Sequence, residues 1–311
     1  MEVVGEIGGL LKVYSDGSVL RSAHPTTPAS SHFTDGVASK DVIINPETGV
    51  WARIFLPGIA FGKLPILIYF HGGGFAVCST AWVEFHAFLH SLCKTAAVII
   101  VSVDYRLAPE HRLPAAYDDC TEAVEWIRKH AAGRAESPEE WLSPSVADIS
   151  RCILAGESAG GNIVHHVGLR VADVDVSPLS VKGLIAIHPF FGGEERIESE
   201  KSQEKEEFVE KCKFVWGLAL PVGSTRDHPF SNPAVLSLKS GLKLPPVLVV
   251  VAGKDDHKER GVMWYEYLRS CGQEAELMEE ENGGHVYHIN FPEFEGTLRL
   301  LNRISNFVDE H

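Results

Sequence analysis

The sequence predicts an α/β fold in which a mixed, mostly parallel central sheet is flanked by helices and carries a small helical cap. Short, uninterrupted apolar runs rich in β-branched residues recur along the 311 residues. Such runs are typical of strands buried on both faces of a parallel sheet. Helical patterns alternate with these runs, and this alternation predicts helices on both sides of the sheet. We expect one domain over residues 1–311.

The chain begins with patterns of antiparallel strands. Residues 10–14 and 19–21 flank a turn at 15–18, which favours a hairpin, and two further strands are predicted at 42–44 and 50–55. The predicted buried strands that follow are residues 64–70, 98–103, 152–155, 184–187 and 247–252. The predicted helices are residues 81–94, 114–131, 160–173, 258–271 and 293–309.

Residues 194–220 interrupt this alternation after the strand at 184–187. A charged stretch leads there into a helical pattern over 204–220 with one apolar face. We interpret the segment as part of a cap over the functional site, contributed by about 1–40 and 194–225. The alternative is an ordinary surface helix, because periodicity alone cannot place a helix over a pocket.

Charge and composition restrict the partners of the protein. The formal net charge of −14 argues against nucleic acid and anionic membranes, which both favour a basic surface. No uncharged apolar run reaches the length of about 18 residues that a membrane-spanning helix needs. The acidic residues 1–6 argue against a secretory signal peptide. We expect a cytoplasmic protein, with the nucleus as a second compartment; the sequence does not determine the oligomeric state.

The cysteines and histidines show no pattern typical of a metal site. The six cysteines are scattered without a CxxC pair, which indicates reduced thiols. His86 and His90 have a spacing that can bind metal on a helix, but the motif HExxH is absent because the glutamate precedes them at 84. We therefore expect neither a metal nor another cofactor.

The sharpest local motif is Gly156-Glu157-Ser158-Ala159-Gly160. It follows a predicted strand and precedes a predicted helix, as a nucleophile elbow of the α/β-hydrolase fold requires. In such an elbow the serine lies on a strained turn, and side chains at 156 and 160 would collide with the neighbouring strand and helix. The bare pattern arises easily by chance, so the strand–turn–helix context carries the prediction. Ser158 is the candidate nucleophile.

A glycine-rich stretch, residues 71–75, directly follows the strand predicted at 64–70. Acyl transfer needs preorganised N–H donors for an oxyanion, and glycines let the main chain approach a substrate closely. We predict an oxyanion hole formed by Gly72, Gly73, Gly74 and Ala159, in which Gly72 shapes the turn and the other three donate. A phosphate-binding loop is the rival interpretation, but no Lys-Ser/Thr pair follows the glycines.

A serine nucleophile requires a base and an orienting carboxylate, and in this fold the chain order is Ser, acid, His. Asp255 and Asp256 both follow the last long buried strand, and the residues leave the choice between them open. His285 and His288 both follow the next, acidic stretch. We favour His285, because it follows two glycines on a loop that can reach Ser158.

Together these motifs resemble the plant carboxylesterases of the hormone-sensitive-lipase-like branch of the α/β-hydrolase fold, the group that also contains the gibberellin receptor. The resemblance covers nearly the whole chain from Gly9 onward. It is carried by residues 71–75, by DYRLAPEHRLPA at 104–115, by GESAGGN at 156–162, by Lys254-Asp255 and by Arg260-Gly261.

Matched residue by residue, the resemblance implies Ser158 as nucleophile, Asp255 as acid and His285 as base. The receptor branch has lost the catalytic histidine, so His285 argues for an active enzyme. One departure is Asp256-His257, where the family usually has apolar residues after the acid.

Residues 189–196 and 220–228 are similar to a subgroup whose members include esterases acting on strigolactones. We therefore predict a carboxylesterase for small to medium hydrophobic esters, with a plant hormone or specialised-metabolite ester such as a strigolactone as substrate. The alternatives are a non-hydrolytic small-molecule receptor and a lyase or cyclase on the same fold. For aromatic side chains, plain core packing is the alternative to a place in the pocket. The candidates for an apolar pocket are Phe75, Phe190, Phe191, Trp216, Val286 and Tyr287.

Overall fold

The computed structural model describes residues 2–58, 62–235, 238–239 and 241–311. The strands are β1 (Val3–Ile7), β2 (Leu11–Tyr14), β3 (Val19–Arg21), β4 (Val37–Asn45), β5 (Val50–Pro57), β6 (Leu64–Phe70), β7 (Ile99–Asp104), β8 (Ala147–Glu157), β9 (Val181–Ile187), β10 (Val247–Ala252) and β11 (Ala275–Glu280). The helices are α1 (Val83–Ala96), α2 (Ala115–Ala131), α3 (Ala159–Ala172), α4 (Glu206–Ala219), α5 (Lys258–Ser270), α6 (Tyr287–Asn290) and α7 (Glu295–Glu310).

One mixed sheet forms the centre of the molecule, with the strand order β11-β10-β9-β8-β6-β7-β5-β4. The strands from β6 to β11 pair in parallel, whereas β5 pairs antiparallel with both β4 and β7. The predicted mixed, mostly parallel sheet is therefore confirmed. A separate antiparallel sheet of β1, β2 and β3 precedes it, and β2 and β3 form the hairpin that the turn at 15–18 predicts.

Strand β6 shows why continuous apolar runs form the centre of this sheet. All of its residues are buried. Ile66 and Ile68 pack in the core on the side of α2, α3 and α5, whereas Leu67 and Tyr69 pack on the side of α1 and α7. Successive side chains of a strand point to opposite faces, so a strand covered on both sides needs an uninterrupted apolar sequence.

The limits of the five predicted helices agree with the structure within two residues, but several strands differ more. The apolar pattern indicates only residues 42–44 for a strand that runs from Val37 to Asn45, and it misses β1. Both strands obtain main-chain hydrogen bonds from a neighbour, and such pairing does not require an apolar pattern in the strand itself. The pattern also misses α6, which is too short for a helical period to show.

The two segments predicted to form a cap meet beside the glycine loop. Leu11 and Val13 of the small sheet pack with Ala76 and Val77 after the glycine loop, and with Leu218 of α4. The last residues of the first segment instead belong to strand β4 of the main sheet, so the predicted boundary at about 40 is too late. Whether the two segments act as a cap remains a prediction. None of the helices in the described ranges is long and apolar enough to cross a membrane.

One residue, Ser158, separates β8 from α3. Its φ of +54° lies in a region that residues other than glycine rarely adopt. A Cβ atom added to Gly160 would lie 1.9 Å from the carbonyl oxygen of Phe70 in β6, and one added to Gly156 would lie 2.6 Å from the same oxygen. The collisions predicted for side chains at these two positions are therefore confirmed: strand β6 causes both, and at Gly156 the carbonyl group of Gly160 in α3 lies as close, at 2.7 Å.

We expect Gly160→Ala to lower the free energy of unfolding by about 3 kcal/mol, the upper end of the usual cost of overpacking, because main-chain atoms must move. Urea unfolding measures this. The matched control is Gly217→Ala, at an exposed position of α4 where no atom lies within 4 Å of the added Cβ. That change should leave stability unaltered or raise it by up to about 1 kcal/mol. Equal midpoints for both variants would contradict the account of the turn.

Candidate active site

Three side chains from distant parts of the chain form a cluster that we call the Ser–His–Asp cluster: Ser158, His285 and Asp255. Nδ1 of His285 lies 2.8 Å from Oδ2 of Asp255, and Nε2 lies 3.0 Å from Oγ of Ser158. With its proton on Nδ1, the imidazole donates to the carboxylate and accepts from the serine hydroxyl through Nε2. This geometry allows His285 to take the hydroxyl proton while Asp255 holds the ring in orientation.

The sheet brings these residues together. Ser158, Asp255 and His285 follow β8, β10 and β11, and the carboxyl ends of parallel strands meet at one edge of a sheet. The carboxylate of Asp255 is buried and also accepts a hydrogen bond of 2.9 Å from the N–H of His257. Burial opposes its ionisation, but the hydrogen bond and charge of His285 lower the pKa of Asp255 well below its usual range. The orienting group therefore stays ionised at neutral pH.

The structure separates the two acids and the two histidines that the motifs leave as alternatives. Asp256 is exposed and forms an ion pair with Lys205, just before α4. His288 is buried in the core, with its ring edge-on to Phe88 at a centroid distance of 4.7 Å. In the described part of the chain, neither residue hydrogen-bonds to the Ser–His–Asp cluster.

The glycine loop, residues 71–75, lines the same pocket as Ser158. The main-chain N–H groups of Gly73, Gly74 and Ala159 form no hydrogen bond with any described residue. Unpaired N–H groups beside a nucleophile are what an oxyanion hole requires. The donating role of these three groups remains a prediction.

The N–H of Gly72, unlike those of the other three residues, is already engaged. It donates to Oε1 of Glu157, a buried carboxyl group that precedes the nucleophile in the sequence. Gly72 therefore holds the loop in place and has no N–H left for an oxyanion, which corrects its inclusion among the predicted oxyanion-hole residues. Burial raises the pKa of Glu157 to about 8, so this carboxyl group is mostly protonated at neutral pH. The hydroxyl of Tyr105 donates to the carbonyl oxygen of His71 at 2.7 Å and supports the start of the loop.

His188 is a supporting residue that the sequence motifs do not single out. It follows β9 with a φ of +46°, and its Nδ1 accepts a hydrogen bond of 3.0 Å from the N–H of Val286. Burial lowers the pKa of His188 to about 3, so the ring is neutral and Nδ1 can accept. His188 therefore holds the loop that carries His285. The sequence could have indicated His188 by its position after a predicted parallel strand, because functional residues lie at the carboxyl ends of such strands.

His188 forms a second group with Asp255 and His285, and this group has the spacing of a metal site. Ligand atoms of His188, Asp255 and His285 lie within 4.8 Å of one another. However, Nδ1 of His285 is bonded to the carboxylate, and Nδ1 of His188 accepts from the main-chain N–H of Val286. Only the Nε2 atoms remain for a metal: Nε2 of His285 hydrogen-bonds to Oγ of Ser158, and Nε2 of the neutral His188 carries the ring proton. The geometry fits a hydrogen-bond network better than a metal centre.

A cavity of about 450 Å³ opens beside Ser158 and falls within the size range of small-molecule sites. Its walls are mostly apolar. The small N-terminal sheet contributes Ile7 from β1 and Leu10 from the turn between β1 and β2, and helix α4 contributes Phe208 and Val215. The motifs do not indicate these residues, because they lie far from the nucleophile in the sequence. Both segments predicted to form a cap thus line the cavity.

Two of the six predicted pocket residues, Phe190 and Val286, line this cavity. The other four do not, and the structure corrects them. Phe75 and Trp216 form a buried layer behind Phe190, with the Trp216 ring stacked on Phe190 at 4.6 Å. The direction of each Cα–Cβ bond decides whether a side chain lines the cavity wall or packs into the core, and the sequence does not show this direction. The four residues that pack into the core are Phe75, Phe191, Trp216 and Tyr287.

Comparison with known proteins agrees with this fold. The sequence profile of a family described as alpha/beta hydrolase fold matches residues 67–289. Tuliposide A-converting enzyme 2, chloroplastic, of Tulipa gesneriana is 39% identical over 316 residues, which cover 99% of this chain and 79% of the relative. Carboxylesterase 20 of Arabidopsis thaliana is 39% identical over 315 residues, which cover 94% of this chain and 93% of the relative.

Solved structures of esterases share the fold. An esterase from Pyrobaculum calidifontis superposes with a TM-score of 0.72 at 24% identity and covers 88% of this chain and 84% of its own. A fungal esterase from Rhizomucor miehei gives a TM-score of 0.74 at 22% identity, with 88% of this chain and 83% of its own covered. At these identities the likeness establishes the fold alone.

Fold, family profile and relatives together define the class of protein as a carboxylic ester hydrolase. The chain belongs to the α/β-hydrolase-fold family whose profile spans residues 67–289. This confirms the resemblance to plant carboxylesterases that the glycine loop and the elbow indicate. A small-molecule ester is accordingly the expected substrate.

The expectation of a cytoplasmic protein, with the nucleus as a second compartment, is wrong by the same comparison. Several of the similar tulip enzymes are named as chloroplastic or amyloplastic. The expectation rested on the lack of an apolar run near the first residue. That lack argues only against a secretory signal and does not distinguish the cytoplasm from a plastid, because plastid transit peptides are not apolar.

The buried carboxyl of Glu157 should make stability depend on pH. The folded chain keeps this proton up to a pH of about 8, whereas the unfolded chain releases it near the ordinary glutamate pKa of 4.5. The stabilising contribution is therefore complete below the lower value and is lost as the pH rises through the upper one. In Glu157→Gln the amide oxygen can still accept from Gly72, but nothing titrates. We expect its unfolding free energy, measured with urea from pH 4.5 to 9, to fall less with pH than that of the wild type; parallel profiles would contradict this.

Proposed function

We propose that this protein hydrolyses small to medium hydrophobic carboxylic esters through an acyl-enzyme. Ser158 is the nucleophile, His285 the general base and Asp255 the residue that orients the base. The observation that carries the proposal is the pair of hydrogen bonds made by His285, at 3.0 Å to the serine oxygen and 2.8 Å to the carboxylate. A nucleophile bonded to a base that a third group orients is the arrangement that covalent catalysis uses.

The reaction follows from these contacts. Oγ of Ser158 attacks the ester carbonyl carbon while its proton passes to Nε2 of His285. The negative oxygen that forms is stabilised by the N–H groups of Gly73, Gly74 and Ala159. His285 then protonates the leaving alcohol oxygen as the ester bond breaks, which leaves an acyl-serine. A water molecule, deprotonated by His285, attacks the acyl-serine and releases the acid and the free serine.

The cavity supports the size and polarity of this substrate class. About 450 Å³ of mostly apolar space accommodates a small to medium hydrophobic ester. A plant hormone or specialised-metabolite ester such as a strigolactone is the finer proposal. Its support is the resemblance of residues 189–196 and 220–228 to esterases of that kind, and relatives named for tuliposide A support a plant metabolite in general.

Replacing members of the Ser–His–Asp cluster should abolish turnover without unfolding the protein. We expect Ser158→Ala, His285→Ala and Asp255→Asn each to lower kcat for p-nitrophenyl butyrate by about 10⁴-fold. Circular dichroism and the unfolding midpoint check the fold. Asp256→Asn is the matched control, since it makes the same change at the exposed neighbouring aspartate and should retain most of the activity. Full activity of Ser158→Ala would refute the proposed nucleophile.

The dependence of kcat/KM on the length of the acyl chain should reveal the apolar character of the cavity. Going from p-nitrophenyl acetate to the butyrate adds two methylenes, and burial of each is worth about 0.8 kcal/mol. We expect kcat/KM to rise by about 10-fold between these esters, and the octanoate to show whether the cavity admits a longer chain. Steady-state absorbance assays measure this. A folded protein that turns over none of the three esters would contradict the proposal and favour a receptor, or a lyase or cyclase.

A further inference from the structure

His257 is a residue of the site to which the proposed reaction assigns no role. It lies two positions after Asp255, where the resemblance leads us to expect an apolar residue. Its side chain lines the cavity beside Ser158, together with His285. A polar side chain therefore lies in a mostly apolar wall, next to the proposed base.

Aromatic rings surround the imidazole of His257 on the protein side. Its centroid lies 4.6 Å from that of His285. The rings of Phe190 and Phe208 meet it roughly edge-on, at centroid distances of 5.1 and 4.8 Å. The two phenyl rings offer no hydrogen-bond partner, and both nitrogens of His285 are engaged with Asp255 and Ser158.

Neither ring nitrogen of His257 has a hydrogen-bond or ion-pair partner among the residues that the structure describes. Burial lowers the pKa of His257 to about 3, so the ring is neutral at physiological pH and offers one N–H donor and one nitrogen acceptor. A polar group in an apolar wall is unfavourable unless a partner satisfies it. The site therefore has an unused hydrogen-bonding group on a residue that lines the cavity.

The segment that carries His257 is held firmly. The main-chain N–H of His257 donates to Oδ1 of Asp255 at 2.9 Å, so the imidazole is positioned relative to the Ser–His–Asp cluster. The preceding residue, Asp256, forms an ion pair with Lys205, which ties the segment to the start of α4. A group held in this way can discriminate between substrates without a cost of ordering it on binding.

The position of His257 indicates which part of the ester it contacts. In the proposed reaction the leaving oxygen must come within hydrogen-bonding distance of Nε2 of His285. The ester carbonyl oxygen instead faces the N–H groups of Gly73, Gly74 and Ala159. Because His257 packs against the ring of His285, the carbon atoms next to the leaving oxygen pass beside it.

We propose that His257 is a specificity-determining residue that hydrogen-bonds a hydroxyl group on the alcohol portion of the ester. The proposal rests on the esterase function proposed above. A hydroxyl is the group that fits, because it can accept from or donate to whichever nitrogen of the neutral ring faces the cavity. The preferred substrates are accordingly esters of diols or other polyhydroxy alcohols, rather than of simple alkanols.

The test compares esters of equal size that differ by a hydroxyl in place of a methyl group. On the alcohol side these are 2-hydroxyethyl butyrate and propyl butyrate; on the acyl side they are propyl 3-hydroxybutyrate and propyl 3-methylbutyrate. Hydrolysis is followed by titration of the released acid. For the full-length wild type we expect kcat/KM to be at least about 10-fold higher for 2-hydroxyethyl butyrate than for propyl butyrate, because an unpaired buried polar group rejects the analogue that lacks its partner. We expect no such preference in the acyl pair.

The alcohol-side ratio is kcat/KM for 2-hydroxyethyl butyrate divided by kcat/KM for propyl butyrate. In His257→Phe, which keeps an aromatic ring but loses both nitrogens, this ratio should fall to about 1. His257→Gln should retain part of it. His111→Phe is the matched control, since His111 is exposed and does not line the cavity, and it should keep the wild-type ratio. Thermal unfolding verifies each variant, and His257→Leu replaces His257→Phe if the latter does not fold.

Several outcomes would overturn the proposal. They are a wild-type ratio near 1, a ratio that His257→Phe leaves unchanged, and a preference that appears in the acyl pair instead. An equal fall of kcat/KM for both alcohol-side esters in His257→Phe would also overturn the proposal, because such a result would show that His257 supports His285. All of these leave hydrolysis of propyl butyrate by the wild type intact. Failure of the wild type to hydrolyse any of the four esters would instead overturn the proposed function, and this proposal with it.

Discussion

The close approach of helix α3 to strand β6 is the constraint on which the site depends. Only the absence of a side chain at Gly160 allows the helix to begin where it does, against the carbonyl oxygen of Phe70. The chain must therefore turn within one residue, and Ser158 takes the unfavourable φ of that turn. The same approach brings the N–H of Ala159 close to the glycine loop that follows β6. One packing contact thus positions both Ser158 and the N–H groups of the predicted oxyanion hole.

Burial favours the uncharged form of the ionisable groups of the site. It raises the pKa of Glu157 and lowers those of His188 and His257, so all three are neutral where they support the loops and the wall. Asp255 is the exception, because its contact with His285 outweighs the cost of burial. Among these four groups Asp255 alone is anionic, and its buried carboxylate contacts Nδ1 of His285. Because the carboxylate is buried, its interaction with a protonated His285 is little screened by solvent.

The cavity is assembled differently from the reacting groups. Strand ends of the main sheet carry the Ser–His–Asp cluster, whereas the walls come from the small N-terminal sheet, from α4 and from the residues after Asp255. These parts contribute little to the central sheet. Their side chains can therefore differ between related proteins without disturbing the fold, which places the choice of substrate in segments such as the one that carries His257.

The sequence by itself determined the α/β class, the order of the main strands and helices and the elbow at Ser158, since these depend on local periodicity and on glycines close together in the chain. It also restricted the acid and the base to Asp255 or Asp256 and His285 or His288. Among these the family motifs favoured Asp255 and His285, and the tertiary structure places both beside Ser158. Only the tertiary structure separated Gly72 from the free N–H groups and showed which of the predicted aromatic residues line the cavity and which pack into the core. It alone revealed His188, Ile7 and Phe208 at the site. The physical reason is that such contacts join elements far apart in the chain and depend on the direction of each side chain, which no local pattern records.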